Sequence, residues 1–370
     1  MEKAKVYFTN MRCKIGDGLL KKLERLITEA GIDGIEFENK YTAIKIHFGE
    51  PGNLAFLRPN FSKVVADHIK RRGGRPFLTD CATLYTGKRN NALAHMDAAF
   101  ENGYTPFSTG VQNIIADGLK GTDDVEVPVA GGEYCKTALI GRAIMDADIL
   151  ISLNHFKGHE IASFGGAIKN IGMGSGSRAG KMQMHNDGKP EVSDKKCVSC
   201  KQCNKVCAHG AISYGADKKA RIDHEKCVGC GRCIGVCTYH AIANRTDSGS
   251  VKLNCKMAEY AKAVLEGRPN FHVSIINQVS PYCDCHGEND AAIIPDIGMF
   301  ASFDPVALDK ACLDAANAAP VIASSALAEC ERTHGDHFMD VHPSTNGIYQ
   351  ITHAEKIGLG SGQYTLITVK

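Results

Sequence analysis

Neither sign of charge is in surplus. The 43 basic side chains face 41 acidic ones for a formal net charge of +2, which leaves no electrostatic footprint for nucleic acid or an anionic membrane. Long apolar runs are missing as well. No stretch approaches the roughly 18 apolar residues of a membrane span. Glu2, Lys3 and Lys5 lead directly into Val6, Tyr7 and Phe8, with no signal-peptide core. These absences predict a cytoplasmic protein, with no membrane insertion and no nucleic-acid partner. The chain also lacks Gly-x-Ser-x-Gly, His-Glu-x-x-His and, in a suitable context, Gly-x-Gly-x-x-Gly, so hydrolase and nicotinamide readings lose support.

Cysteine, by contrast, is abundant, at 16 in 370 residues. Without a secretory signal a disulfide framework is disfavoured, because cytosolic thiols are kept reduced, and metal binding becomes the leading explanation. Half of the cysteines fall in one window that repeats itself at a spacing of 30 residues. The first copy carries Cys197, Cys200, Cys203 and Cys207, and the second carries Cys227, Cys230, Cys233 and Cys237. Each copy is followed by an Ala-Ile pair, Ala211 with Ile212 and Ala241 with Ile242.

On both sides of this window, helical periodicity alternates with short apolar strands, the pattern of an α/β domain with a mainly parallel sheet and flanking helices. Asp17 is a candidate N-cap for a helix running to Gly31. Residues 41–48 alternate as a strand, with Ile44, Ile46 and Phe48 on one face and Ala43, Lys45 and His47 on the other. Helices are expected over 60–72 and 91–102, and strands over 76–79, 149–154, 271–279 and 296–301. Asp304 and Pro305 should cap a further helix. The sheet pattern resumes after the cysteines, so residues 188–246 are expected to be an inserted α+β domain between two parts of one α/β domain, 1–187 and 247–370. Glycine-rich residues 172–180 and residues 246–250 read as its linkers. The first of these also has the look of a phosphate cradle, but its spacing fails the Walker A pattern, and a flexible hinge is the favoured reading.

A Cys-x2-Cys-x2-Cys-x3-Cys run brings three thiolates to one iron-sulfide cube and points the fourth at a second cube. By that rule Cys197, Cys200, Cys203 and Cys237 hold one [4Fe-4S] cluster, and Cys227, Cys230, Cys233 and Cys207 hold its twin. Structural zinc is the alternative, although four tetrahedral ligands per ion leave the repeat poorly explained. The window resembles the bacterial-type two-cluster ferredoxins, departing from them at Ala208 and Thr238, where proline is usual. Two adjacent clusters imply one-electron transfer, with another ferredoxin or an oxidoreductase as partner.

In open parallel sheets ligands bind beyond the carboxyl ends of the strands. Those ends are predicted to collect His47, Glu50, Asp80, Cys81, Asn154, His155, His159, Cys283, Cys285, His286 and Asp304 on one rim. His47, Asp80, His155, His159 and Lys169 are candidate catalytic residues there. Cys283, Cys285 and His286 are a candidate third site for a soft metal or redox centre, the alternative being two small buried thiols. His155 and His159 are expected in a loop, where hydrogen-bonded structure is the alternative role. For Lys169, anion binding or action on a carbonyl competes with a solvated helix lysine.

Outside the cysteine window the chain resembles the family called domain of unknown function 362, in its members described as uncharacterised iron-sulfur centre proteins. The matching stretches run over 46–50, 79–89, 154–159, 165–170, 283–285, 295–298 and 304–306. The resemblance implies a ferredoxin module inserted in an α/β domain and supplies no substrate. Three functions stay open: a redox enzyme whose clusters serve the strand-end pocket, a non-catalytic electron carrier or adaptor, and a metal or cofactor delivery protein.

Overall fold

The computed structural model describes residues 3–84, 87–186, 189–227, 229, 232–244 and 249–370. Eight strands build the main sheet: β1 (Ala4–Asn10), β2 (Tyr41–Lys45), β3 (Arg75–Asp80), β4 (Asn113–Ile115), β5 (Ile149–His155), β6 (Asn270–Ile276), β7 (Gly298–Ser302) and β8 (Tyr364–Thr368). Their spatial order is β8-β1-β7-β6-β5-β2-β3-β4. Only β7 runs against the others, pairing antiparallel with both β1 and β6.

The two faces of the sheet bury separate apolar layers. Ile44, Ile46 and Phe48 join Ile149, Ile151 and Leu153 on one side, while Ala43 and Leu150 pack into the other. The alternation expected over 41–48 therefore holds, and it turns Lys45 toward the same side as Ala43. Against the first layer lie helices α1 (Leu19–Glu29) and α2 (Pro59–Arg71), with α3 (Ala92–Glu101) beside β4. Against the second lie α4 (Ala167–Ser175), α5 (Arg178–Asn186), α6 (Ser250–Leu265), α7 (Pro305–Asn317) and α8 (Ile348–Lys356).

Two expected caps sit as the sequence suggested: Gly31 adopts φ +91° after α1, and Asp304 accepts the Val306 and Ala307 N–H groups before α7. Asn91, expected as the first residue of a helix, is instead the N-cap of α3 and accepts the Ala94 N–H. Asp17 differs. The N-cap of α1 is Gly18, and the Asp17 carboxylate instead forms a two-pronged pair with Arg25 at 3.0 Å.

Residues 172–180 are not a hinge or a cradle. Gly172 and Gly174 lie inside α4 and Gly180 inside α5, and a side chain at Gly172 would run into the Met257 carbonyl of α6. Small residues are needed here because the helices approach closely, which a reading of glycine as a loop marker misses. Of the second expected linker, residues 246–248 lie outside the described residues, and Gly249 is the N-cap of α6.

Between α5 and α6 the chain makes two antiparallel pairings, 190–192 with 242–244 and 212–214 with 220–222, and two one-turn helices at Gln202–Lys205 and Arg232–Gly235. Among the described residues no helix is long and apolar enough to cross a membrane.

Candidate functional site

The carboxyl ends of β2, β3, β5 and β6 open onto a cavity of about 440 Å³. Of the residues expected on one rim, His47, Glu50, Asp80, Cys81, His155, His159, Cys283, Cys285 and His286 line it, as does Lys169 from α4. Asp304 is elsewhere. It follows β7, whose antiparallel direction carries its carboxyl end to the amino ends of the other strands. Asn154 stands behind the wall, accepting a 2.7 Å hydrogen bond from Asn170 Nδ2.

Lys45 and Asp80 end neighbouring strands, and their side chains pair at 2.9 Å with almost no exposure. Lys45 Nζ also donates to Asn170 Oδ1 at 2.8 Å. Burial opposes both charges, yet Lys45 and His95 hold the Asp80 carboxyl below its ordinary range, whereas burial leaves Lys45 with a lowered pKa. His95, 3.7 Å from Asp80, is driven down to about 3 by burial.

Arg89 is a large buried cation whose Nε donates to Glu50 at 2.8 Å, with Nη1 3.0 Å from His47 Nε2. The other ring nitrogen of His47 accepts the Gly49 N–H. Burial, then the Arg89 charge, pushes His47 well below the ordinary imidazole range, so this ring is neutral.

The opposite wall is built by β5, the strand 157–159 that follows it, and the loop after β6. Close approach fixes them together: Gly158 donates its N–H to Ser280 O at 2.9 Å, and a side chain at Gly158 would strike the Pro281 carbonyl. His155 closes β5 and His159 closes the 157–159 strand, so neither is in a loop. Both ring nitrogens of His155 face acceptors, Asp284 at 2.9 Å and Asn277 O at 2.7 Å. Lys157 Nζ is 3.4 Å from the same Asp284 carboxylate.

Lys169, expected by default on a solvated face, is half-buried and donates to Cys283 Sγ at 3.5 Å. The Cys285 thiol, partly opposed by burial, and the Lys169 and Lys157 ammonium groups favour the Cys283 thiolate and lower its pKa well below the ordinary thiol value. Cys285, hydrogen-bonded to that sulfur, is raised. His286 Nε2 lies 2.9 Å from Glu160 Oε1, and Glu160, Cys285 and His286 each bring one donor atom within 4.8 Å of the others. Cys283 is not in that trio.

A second, smaller cavity is lined by Cys197, Cys200, Cys203 and Cys237, together with Tyr214, Tyr239, Ala241 and Ile242. These four cysteines are free thiols. They come from both copies of the repeat, three from the first and the last of the second. The two copies also share a local contact: the Ala211 and Ala241 N–H groups donate to Cys207 Sγ and Cys237 Sγ, each at 3.3 Å. Tetrahedral zinc at Zn–S of about 2.3 Å would draw its sulfurs to about 3.8 Å apart. Among the described residues, no three of these thiols lie within 4.8 Å of one another. Cys207, Cys227 and Cys233 are partly buried, and Cys230 lies outside the described residues.

The two cavities meet at one turn. Cys237, Tyr239, Ala241 and Ile242 line the smaller, while His240, whose N–H bonds to the Cys237 carbonyl at 3.0 Å, lines the larger. Leu84 and Met182 pack beside Cys197, Cys203 and Cys237 and join the cysteine segment to the main sheet.

Reading the sequence missed Lys45, Arg89, Lys157, Glu160, Lys181 and His185 as cavity residues. Lys45 carried a signal, since it shares the face of His47 on an alternating strand. Arg89 and Glu160 sit at or beside stretches already singled out. Lys181 carried a signal as the cation that follows the glycines of 172–180, set aside when that stretch was read as a hinge, and His185 had none.

A family model described as Domain of unknown function (DUF362) matches residues 42–314. No match to a curated protein was found. Among solved structures, the lactate racemase apoprotein from Thermoanaerobacterium thermosaccharolyticum is 13% identical with a TM-score of 0.36, the match covering 74% of this chain and 51% of that one. A protein from Thermotoga maritima is 11% identical with a TM-score of 0.40, over 80% of this chain and 58% of that one. The chain thus spans about half the length of the racemase it matches.

Proposed function

The chain belongs to the DUF362 family, and from that membership and the geometry of its two cavities we propose that it is an iron-sulfur redox protein. In this reading residues 188–246 are an inserted ferredoxin-like domain with two [4Fe-4S] clusters, and electrons pass singly between them and a small molecule in the strand-end cavity. When bound, such clusters cycle by one electron and hand it to a neighbour.

Cys197, Cys200, Cys203 and Cys237 would hold the cluster nearer the cavity, and Cys207, Cys227, Cys230 and Cys233 the other. The residues present suit that group: four free thiols surround one cavity, spaced more widely than a single zinc ion requires. The observation that carries the reading is the turn 237–242, which has a thiol cavity on one side and the titratable cavity on the other. On the outer side Cys200 and Val198 are exposed, where a redox partner, a ferredoxin or an oxidoreductase, would reach.

Inside the large cavity the chain's own groups hold charge in place. Lys169 and His159 fix Cys283, Asp284 fixes His155 and Lys157, and Asp80 fixes Lys45. A carrier without a site of its own leaves this buried titratable wall without a purpose.

The test is anaerobic reconstitution followed by iron and sulfide counts, with about eight of each expected per chain and a paramagnetic signal on reduction. Reduced protein is then mixed with pools of small metabolites, and reoxidation is followed by absorbance. Lys169→Met and His155→Ala should slow reoxidation by a cavity occupant while leaving reoxidation by a one-electron dye unchanged. Absence of the reduced signal, or equal slowing with the dye, overturns the proposal.

A further inference from the structure

We infer that Glu160, Cys285 and His286 form a binding site for one divalent transition-metal ion, of the zinc type, in the wall of the large cavity. A carboxylate oxygen, a thiol sulfur and an imidazole nitrogen converge within 4.8 Å. Thiolate, imidazole and carboxylate are the donors that borderline-soft ions take, and three protein ligands with one position left open describe a reactive rather than a structural zinc site. All three residues line the large cavity, so an ion held by them would be within reach of a molecule there.

An ordinary surface ion pair does not account for the arrangement. The 2.9 Å contact between His286 Nε2 and Glu160 Oε1 would need no thiol beside it, yet Cys285 completes the trio. The second oxygen, Glu160 Oε2, is buried and accepts no hydrogen bond. A buried carboxylate oxygen without a donor is costly, and a cation resolves it.

The three donors are also held in place before any ion arrives. Glu160 follows the 157–159 strand, which is locked to the 280s loop by the Gly158–Ser280 hydrogen bond. His286 is tied twice, by its N–H to the Cys283 carbonyl at 3.1 Å and by its carbonyl to Asn53 Nδ2 at 3.0 Å. Such bracing orients ligands as outer-shell contacts do in metal sites. Beside the trio, His159 accepts the Ile161 and Ala162 N–H groups on Nδ1, so its Nε2 faces Glu160 at 3.9 Å. Cys283 is engaged by Lys169 and stays outside the ligand set.

The ion would bind an oxygen, nitrogen or sulfur atom of whatever small molecule fills the cavity, fixing it there as a Lewis acid. This site uses none of the eight repeat cysteines, so it stands or falls separately from the clusters.

The test is equilibrium dialysis of the full-length, cluster-loaded protein against Zn(II) under anaerobic conditions, with zinc, iron and sulfide measured together. One zinc per chain is expected with iron and sulfide unchanged, and X-ray absorption should show one sulfur neighbour among nitrogen or oxygen neighbours. Cys285→Ser and Glu160→Gln should each weaken zinc binding by at least about ten-fold at constant iron content. His286→Gln, on a half-exposed ring, is the variant least prone to misfolding and should do the same. Three results overturn the inference: no zinc bound, zinc bound equally by the variants, or zinc uptake that mirrors iron loss and so belongs to the repeat cysteines.

Discussion

Lys45 Nζ and Asp80 Oδ1 meet at 2.9 Å between the ends of two adjacent parallel strands, with the lysine side chain wholly buried. Removing one member leaves the other charged and uncompensated, a loss of about 3–5 kcal/mol for a buried pair. Lys45→Met should therefore lower the midpoint of anaerobic urea unfolding strongly. The Lys45→Met, Asp80→Asn double variant should lose less than the sum of the two single losses, since both remove one interaction. Strict additivity would show that the pair is not coupled and that each residue is held by its other neighbours.

The crossed thiol set makes an arithmetic prediction. Cys197 and Cys237 line one cavity although they come from different copies of the repeat. Cys197→Ser and Cys237→Ser should each remove about four irons, and the double variant should remove no more, because both serve the same cluster. Cys197→Ser combined with Cys207→Ser should instead remove about eight. Iron counts on anaerobically reconstituted samples distinguish the patterns, and the reverse outcome would mean that each copy holds its own cluster.

Most of the central sheet was legible because its strands are short apolar runs, buried on both faces as in residues 149–155 and 298–302, and because Gly31 and Asp304 bound its helices plainly. The rim was legible for the same reason wherever strands run parallel. It failed at Asp304, since nothing in the sequence of β7 reveals that it alone runs backwards. The glycines of 172–180 misled because the sequence does not distinguish a glycine that bends the chain from one that lets Met257 of another helix approach. Glu160 became visible as a partner of His286 only when strand 157–159 and the 280s loop, 126 residues apart in sequence, were brought together.

Gly158 is where that union is most exposed to mutation. Its N–H bonds to Ser280 and its α-carbon faces the Pro281 carbonyl, backbone that cannot rotate away as a side chain would. Gly158→Ala should displace the 280s loop and cost about 1–3 kcal/mol, as overpacking does. Because the loop carries Asp284, the variant should also become susceptible to limited proteolysis near residues 280–290, read by mass spectrometry of the fragments. Unchanged stability and an unchanged cleavage pattern would show that the two segments tolerate separation.

His353 of α8, which lines neither cavity, sets a pH limit on the packing of α8 against α6. Its Nε2 lies 2.9 Å from Glu259 Oε1, and Glu259 also takes the N–H groups of Glu133, Tyr134 and Cys135. Contact with Cys255 and then with Glu259 outweighs burial and raises the His353 pKa from 6.5 to about 9. A raised folded-state pKa means that the native state holds this proton more tightly than the unfolded chain does. The added stability is complete below the unfolded value of 6.5 and is lost as pH climbs through about 9. At about 1.4 kcal/mol per unit, reduced by solvent screening, the loss over that window should be about 2 kcal/mol. His353→Gln should be less stable than wild type at pH 6, with a flatter dependence above it. Chemical unfolding at pH 6, 7, 8 and 9 measures both, and a variant with the wild-type slope would place the titration on Cys255 or another neighbour instead.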